Sequence, residues 1–222
     1  MGFLAEIFMK QYQKIQTAYF RDPENNHKTL LEGTWAKPEF ELLKDIDWIC
    51  TEKIDGINIR IMWDGENVRF GGKTDNAQIP TILISSLQDT FTNEKMKACF
   101  PDADNVCLYG EGYGKKIQKG GNYLPDRADF ILFDVKVCDW WLNRDANEDV
   151  ASKLEIGVVP IMGIWKLEEA IEFVKKGFKS TIADNKEYIA EGLIMKPVTE
   201  LFNGKGERVI SKIKYKDFAR EY

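Results

Sequence analysis

The spacing of hydrophobic positions changes period several times along the chain, and each change predicts an element. Leu4, Ile7, Phe8, Ile15 and Tyr19 fall at near-helical intervals, so residues 3–19 are expected to form an amphipathic helix. A polar run, Asp22-Pro23-Glu24-Asn25-Asn26, then reads as a turn. From Trp48 onward the period shortens. Ile57, Ile59, Ile61 and Trp63 alternate with Asn58, Arg60 and Met62, which predicts a half-buried strand. Asp64-Gly65 turns that strand into a hairpin with Val68-Arg69-Phe70. Leu83, Leu87 and Phe91 predict a helix over 81–98, and strands follow at Cys107–Tyr109 and Asp129–Val137. Leu167, Ala170, Ile171 and Val174 predict a short helix from Leu167 to Lys176, closed by Gly177 as its C-cap. Strand character returns at Tyr188–Met195, ended by Pro197, and again at Arg208–Tyr215. No repeat, low-complexity tract or linker interrupts the sequence. The pattern predicts one α+β domain over residues 1–222, with antiparallel sheets flanked by helices and a helical N-terminal extension over about residues 1–47.

Composition narrows what such a domain can do. With 44% apolar and 30% charged residues in 222, the chain is foldable and not disordered. Its 31 Lys and Arg against 36 Asp and Glu give a net charge of −5, which argues against a coat protein that neutralises phosphates along its whole surface. The charge is unevenly spread, however. Residues 205–222 carry six basic side chains (Lys205, Arg208, Lys212, Lys214, Lys216, Arg220) against three acidic ones, which leaves room for a focused anion site. A single histidine, His27, sits in the polar turn as a surface residue and excludes sites built from two or three imidazoles. The chemistry therefore falls to Lys, Arg, Asp and Glu.

Cys50, Cys99, Cys107 and Cys138 show no CxxC spacing and lie in apolar or aromatic settings, so all four are expected as buried free thiols. The N-terminal MGFLAEIFMKQYQKIQ carries Glu6 within its apolar stretch and no small-residue cleavage site. Its Met-Gly start fits a myristoylation context only in Gly2. No apolar run approaches the ~18–20 residues of a membrane span. A cytoplasmic protein with no membrane partner is expected.

The candidate chemistry begins at Lys53-Ile54-Asp55-Gly56, just before the alternating strand. A lysine beside a tight glycine turn can be held rigidly against a phosphate, although these four residues alone describe a surface turn with a solvated lysine. Further along, Glu111 lies in Leu108-Tyr109-Gly110-Glu111-Gly112-Tyr113-Gly114, and Phe130 to Val135 reads Phe-Ile-Leu-Phe-Asp-Val. Glu191-Gly192-Leu193-Ile194-Met195-Lys196 is a second acid–glycine start to an apolar strand. On the last strand, period-two geometry puts Lys212 and Lys214 on one face, opposite Ile213.

This ordered series, over roughly residues 48–216, resembles motifs I to V of the covalent nucleotidyltransferases, the superfamily of ATP-dependent ligases and mRNA capping enzymes. The closer resemblance is to phage RNA ligases of the type 2 and RNA-editing class. Thr51-Glu52-Lys53-Ile54-Asp55-Gly56-Ile57-Asn58, Ile117-Gln118-Lys119 and the Phe133-Asp134 pair carry it. The resemblance implies an ATP-grasp-like nucleotidyltransferase (adenylation) domain. It makes Lys53 the nucleophile that becomes lysyl-AMP, and Lys212 and Lys214 the lysines that hold the phosphates. Asn58 matches the position that contacts the ribose or phosphate region, Glu111 the ribose-binding acid, and Glu191 the acid associated with a metal and with the attacking lysine. Phe133 matches the aromatic that stacks on adenine, with Phe130 the alternative register. Lys73, in Gly71-Gly72-Lys73-Thr74, stands where an arginine is expected, and a lysine lacks the bidentate fork. Glu52 and Ile54 flank Lys53 in motif I and join the nucleotide-binding set. Arg60 joins it because it shares a strand face with Asn58, a surface salt bridge being its other reading.

The physics agrees with these roles. An attacking amine must shed its proton, and neighbouring cations disfavour its charged form. Lys212, Lys214 and Mg²⁺ would supply those cations, and Mg²⁺ takes carboxylate, water and phosphate oxygens. Lys115, Lys116 and Lys119 read equally as a solvated loop or as phosphate contacts, and Trp140-Trp141 as packing or as a base-stacking pair. The function implied is an ATP-dependent RNA ligase that joins 5′-phosphate and 3′-hydroxyl ends, nicked duplexes included, in the host cytoplasm if phage-encoded. A DNA ligase, a capping-type guanylyltransferase and a catalytically silent nucleotide- or RNA-end-binding module are the alternatives. The sequence ends eight residues after Lys214, so no OB domain or C-terminal helical domain is expected within it, and strand sealing would then draw on a protein partner or on the N-terminal ~50 residues.

Overall fold

Strand pairing follows the alternation read above, but it gathers the strands into two main sheets and a two-stranded ribbon. A computed structural model of the chain describes residues 11–118 and 123–218. In chain order these form β1 (Gln16–Thr17), β2 (Tyr19–Arg21), β3 (Leu30–Trp35), α1 (Pro38–Leu42), β4 (Trp48–Lys53), β5 (Ile57–Trp63) and β6 (Val68–Gly71). Next come α2 (Thr81–Thr90), α3 (Asn93–Cys99), β7 (Val106–Gly114), β8 (Ala128–Val137), β9 (Trp140–Trp141) and α4 (Arg144–Leu154). The series ends with β10 (Gly157–Val158), β11 (Ile161–Trp165), α5 (Leu167–Lys176), β12 (Gly192–Pro197) and β13 (Ser211–Lys214).

The chain divides into two compact units that interleave in sequence. The first contains Tyr12, Asp55–Val159 and Ile182–Asn185, and holds a sheet in the order β10-β8-β7-β5-β6 with β9 beside β8. Its pairs are antiparallel except β10 with β8. One face packs on α2, α3 and α4: Ile59, Ile61, Trp63, Leu108 and Leu132 bury against Leu83, Leu87, Met96, Val150 and Leu154. Fully burying each such aliphatic side chain contributes about 1.5–3 kcal/mol.

The second unit contains Gln13–Ile54, Pro160–Thr181 and the residues from Lys186 onward, and its main sheet runs β1-β13-β12-β4-β11. The amphipathic face of α5 (Leu167, Ala170, Ile171, Val174) covers Trp48, Cys50, Leu193, Met195 and Ile213 of this sheet. The opposite parity of β4 and β13 carries Lys53, Lys212 and Lys214. A small β2–β3 ribbon belongs to the same unit.

Several expectations change. Leu4, Ile7 and Phe8 of the expected first helix lie outside the described residues, and the part that is described is extended: Gln16 and Thr17 pair in parallel with Ser211 and Lys212. Helical spacing of Ile15 and Tyr19 loses there to a free strand edge that satisfies the backbone. Of the expected helical extension, α1 is the one α-helix among the described residues. The helix expected over 81–98 is two, because the Thr92 hydroxyl accepts from the Lys95 amide and starts α3 afresh. Helix α4 falls in a stretch the hydrophobic pattern left unassigned, capped by the Asn143 side chain on the Ala146 amide. Strand β12 begins at Gly192 and not at Tyr188. Cys50 and Cys107 are buried, and burial pushes their thiols up to about 12 and about 11, but Cys138 is exposed on the turn before β9. No helix among the described residues is long and apolar enough to cross a membrane.

Candidate active site

In the second unit, strand register brings distant residues together. Gly192 pairs with Lys53 on one side and with Lys214 on the other, so Glu191, the residue before it, meets both lysines. Lys53 Nζ lies 2.6 Å from Glu191 Oε2, and Lys214 Nζ lies 2.5 Å from Oε1. Glycine is needed at 192 because a Cβ there would sit 2.0 Å from the Ile213 carbonyl oxygen and 2.8 Å from Lys214 Cα. Burial pushes the Glu191 carboxyl up, but the Lys53 and Lys214 ammoniums outweigh it and hold the group below its ordinary value. Lys212, on the same strand face as Lys214, is pushed down to about 8, first by burial and then by the charges of Lys214 and Lys53. Two lysines thus share one carboxylate with a third lysine beside them, an arrangement suited to a polyanion.

Glu52 does not join them. Alternation on β4 turns it to the opposite face, where it is 1% exposed and accepts from the Ser180 hydroxyl, the Thr181 amide at 3.0 Å and the Thr181 hydroxyl at 2.9 Å. Ile54 is buried, and its carbonyl lies 3.4 Å from Lys53 Nζ. Ser180 and Thr181 carry no motif, so nothing in the sequence marks them as partners of Glu52.

In the first unit, the sheet face away from the helices collects Asn58, Arg60, Tyr109, Glu111, Phe133 and Asp134. Asn58 and Glu111 are direct partners across β5 and β7. Gly56 makes that approach feasible, since a Cβ would lie 2.2 Å from the Gly112 carbonyl oxygen and 2.9 Å from Glu111 Cγ. The side-chain oxygen Oδ1 of Asn58 is buried without a hydrogen-bond partner. Arg60 is 0% exposed, with its guanidinium turned to the carbonyl of Gly72 and to Asp75. Lys73, between those two, is exposed.

The β7–β8 register shifts after Tyr109 pairs with Asp134, and Phe133 is the residue it skips. Phe133 is half-buried beside Tyr109, Trp141 and Tyr12, whose ring meets it edge-on at 5.0 Å and whose hydroxyl donates to Asp134. Phe130 faces the other way: it is 3% exposed, packs edge-on against Phe91 at 5.4 Å, and fills the space a Cβ on Gly110 would need. Between the two registers the structure therefore gives Phe130 to the core. Phe130→Ala is expected to destabilise the protein by about 3–5 kcal/mol, and Phe133→Ala by much less. Chemical denaturation of both variants checks this.

Trp140 is 77% exposed, whereas Trp141 packs on Tyr109. Lys115 is half-buried, Lys116 and His27 are exposed, and Lys119 and Arg220 lie outside the described residues. No group of three or more His, Cys, Asp or Glu that could cage a metal occurs among the described residues. Both oxygens of the Glu191 carboxylate accept from ammoniums of the lysine cluster. Glu191 is the residue of this cluster that could face a divalent ion.

The sheets, their flanking helices and the lysine–glutamate cluster define a nucleotidyltransferase fold, and solved structures agree. An apo point mutant of the Naegleria gruberi RNA ligase superposes with a TM-score of 0.63 at 17% identity, over 95% of this chain and 59% of that one. Another point mutant of that ligase, with ATP and Mn, gives 0.60 at 20% identity over 80% and 52%, and the ligase with PPi gives 0.61 at 18% over 93% and 58%. This chain therefore spans somewhat more than half the length of these relatives. No curated protein matches. A model of the family described as RNA ligase matches residues 46–214, and the chain belongs to that family.

Proposed function

We propose that the chain is the adenylation module of an ATP-dependent RNA ligase, a single nucleotidyltransferase domain despite its two compact units. The observation that carries this reading is the Lys53–Glu191–Lys214 cluster with Lys212 beside it. Lys53, once neutral, attacks the α-phosphate of ATP; its bond to nitrogen forms, pyrophosphate leaves with the broken P–O pair, and the amine proton passes to solvent. The AMP then passes to an RNA 5′-phosphate, and a 3′-hydroxyl displaces it. Glu191, kept ionised by two ammoniums, is a poor proton acceptor, so its role is to aim Lys53 and balance the lysine charges. Lys212 and Lys214 offset charge growing on the phosphates. A divalent ion would come with the triphosphate oxygens and lend Lewis acidity; no protein step depends on it here.

Asn58 Oδ1 and Glu111 are neighbouring acceptors, and they suit ribose hydroxyl donors better than phosphate oxygens. Phe133 offers a half-buried ring for adenine, and its replacement by leucine is expected to weaken ATP binding about tenfold, the scale of one base–aromatic stack. Incubation with α-labelled ATP and Mg²⁺ or Mn²⁺ tests the reading: label surviving denaturation supports it, and none refutes it. Labelled GTP as the better donor would indicate a capping enzyme. Sealing assays on nicked RNA, single-stranded RNA and nicked DNA, with and without candidate protein partners, decide the substrate.

A pH dependence follows from Lys212. Its folded value near 8 lies below its unfolded value, so the folded state binds fewer protons between about 8 and 10.5. Protein stability therefore rises with pH across that window. Anion binding runs the other way, because a phosphate needs the protonated form. ATP affinity is expected to be full below pH 8 and to fall as pH rises through it, and Lys212→Arg, charged throughout, abolishes the fall. Equilibrium ATP titrations from pH 6.5 to about 9.5 check both statements.

A further inference from the structure

Arg60 is the one arginine among the described residues whose side chain is fully buried, and Gly72 and Asp75, which accept from it, bracket an exposed lysine. Nε donates to the Gly72 carbonyl at 2.8 Å, and Nη2 donates to Asp75 Oδ1 at 2.7 Å. Lys73 lies between these two anchors. The turn is closed again where the Ala77 amide donates to the Thr74 carbonyl at 3.1 Å, and Gly72 packs against Ala77, whose Cβ would lie 2.7 Å from a Cβ at 72. Gly71, the register partner of Arg60, leaves room for the guanidinium, since a Cβ there would come within 3.2 Å of Nη2.

A buried guanidinium is costly unless its charge and donors are met, so placing one under an exposed loop calls for a reason beyond packing. A lysine at 60 could not replace it, because only the planar fork reaches a carbonyl and a carboxylate in two fixed directions. At 73 the situation is reversed. A lysine is a point charge on a flexible stem with no fork to orient it, so its position depends on how firmly its backbone is held.

We propose that Arg60 is a positioning residue: through Gly72 and Asp75 it fixes the loop that carries Lys73, and so sets nucleotide affinity without touching the ligand. This rests on the nucleotide-binding reading above. The orientation that an arginine at 73 would carry in its own side chain is supplied here by a second arginine beneath the loop.

The test is a double-mutant cycle on Asp75 and Lys73, read as equilibrium binding of α,β-methylene ATP, which cannot transfer AMP. Asp75 is about half exposed, so Asp75→Ala retains the fold. Asp75→Ala and Lys73→Ala are each expected to weaken binding about tenfold, and the double variant no more than either alone. Arg60→Lys is expected to match Asp75→Ala and to speed amide exchange at residues 72–77. Multiplying effects, or an unchanged affinity in Asp75→Ala, would overturn the clamp and leave Arg60 a structural ion pair. Wild-type protein that binds the analogue but forms no lysyl-AMP from ATP would refute the ligase reading alone, and the cycle would still decide the clamp. Wild-type protein that does not bind the analogue overturns both.

Discussion

Replacing Lys53 with alanine or arginine is expected to eliminate the covalent AMP adduct, lowering its rate of formation by more than about 10³-fold, as expected when a nucleophile is removed. Arginine is the more telling variant. It keeps the positive charge opposite Glu191 and so preserves electrostatics and fold, but its guanidinium stays protonated and does not attack phosphorus. Loss of labelling in Lys53→Arg, with ATP binding retained within a few-fold, separates nucleophile from phosphate contact. The decisive measurement is acid-quenched label on the protein against time. An adduct persisting in Lys53→Arg would move the nucleophile elsewhere in the cluster, and Lys212, pushed down to about 8, would be first in line.

Glu191→Gln is expected to lower adduct formation by about 10²–10³-fold while leaving ATP affinity equal or higher. The sign of the affinity change follows from the charge count around the site. The wild-type cluster sets three lysines against one carboxylate; without the carboxylate the field on an incoming triphosphate is more positive. The rate falls for a different reason. Lys53 loses the partner 2.6 Å away that aims it, and Lys53 and Lys214 lose the charge that keeps them together. A residue that only bound phosphate or metal would lose affinity and rate together. Stability carries a second signature. The folded Glu191 carboxyl is depressed, so its contribution is fully present above the ordinary value of 4.5 and is lost as pH falls through the lower folded value. In Glu191→Gln that acid-dependent part of the unfolding curve should flatten.

Much of this site was legible before any strand was paired. Strict alternation on β13 put Lys212 and Lys214 on one face, and the same period on β5 separated Asn58 and Arg60 from the isoleucines. Both held because each strand is short, regular and buried on one side. Where a residue's partner lies far away in sequence, the pattern was silent. The motif grouped Glu52 with Lys53 in the nucleotide-binding set, and only the fold turns Glu52 to the opposite face and supplies Ser180 and Thr181 to hold its buried carboxylate. The described part of the N-terminal region went wrong for a related reason. Spacing at Ile15 and Tyr19 permitted a helix, but the open edge of β13 offered backbone partners that no local preference could match.

Strand β8 shows the division most clearly. Phe130 and Leu132 on one face and Val135 and Val137 on the other parity cannot all be core in an unbroken strand. Sequence alone therefore left Phe130 and Phe133 as competing candidates, and one bulge resolves the conflict by sending Phe133 and Asp134 away from the helices together. The sequence by itself determined the α+β class, the ordered motifs and which side chains are candidates for the chemistry, because residue type and short-range period are local properties. Only the tertiary structure decided which carboxylate meets which lysine, which phenylalanine is core, and that Arg60 meets Gly72 and Asp75: a strand's register and a buried group's partner depend on contacts between separate segments, from Arg60 with Asp75 to Lys53 with Glu191.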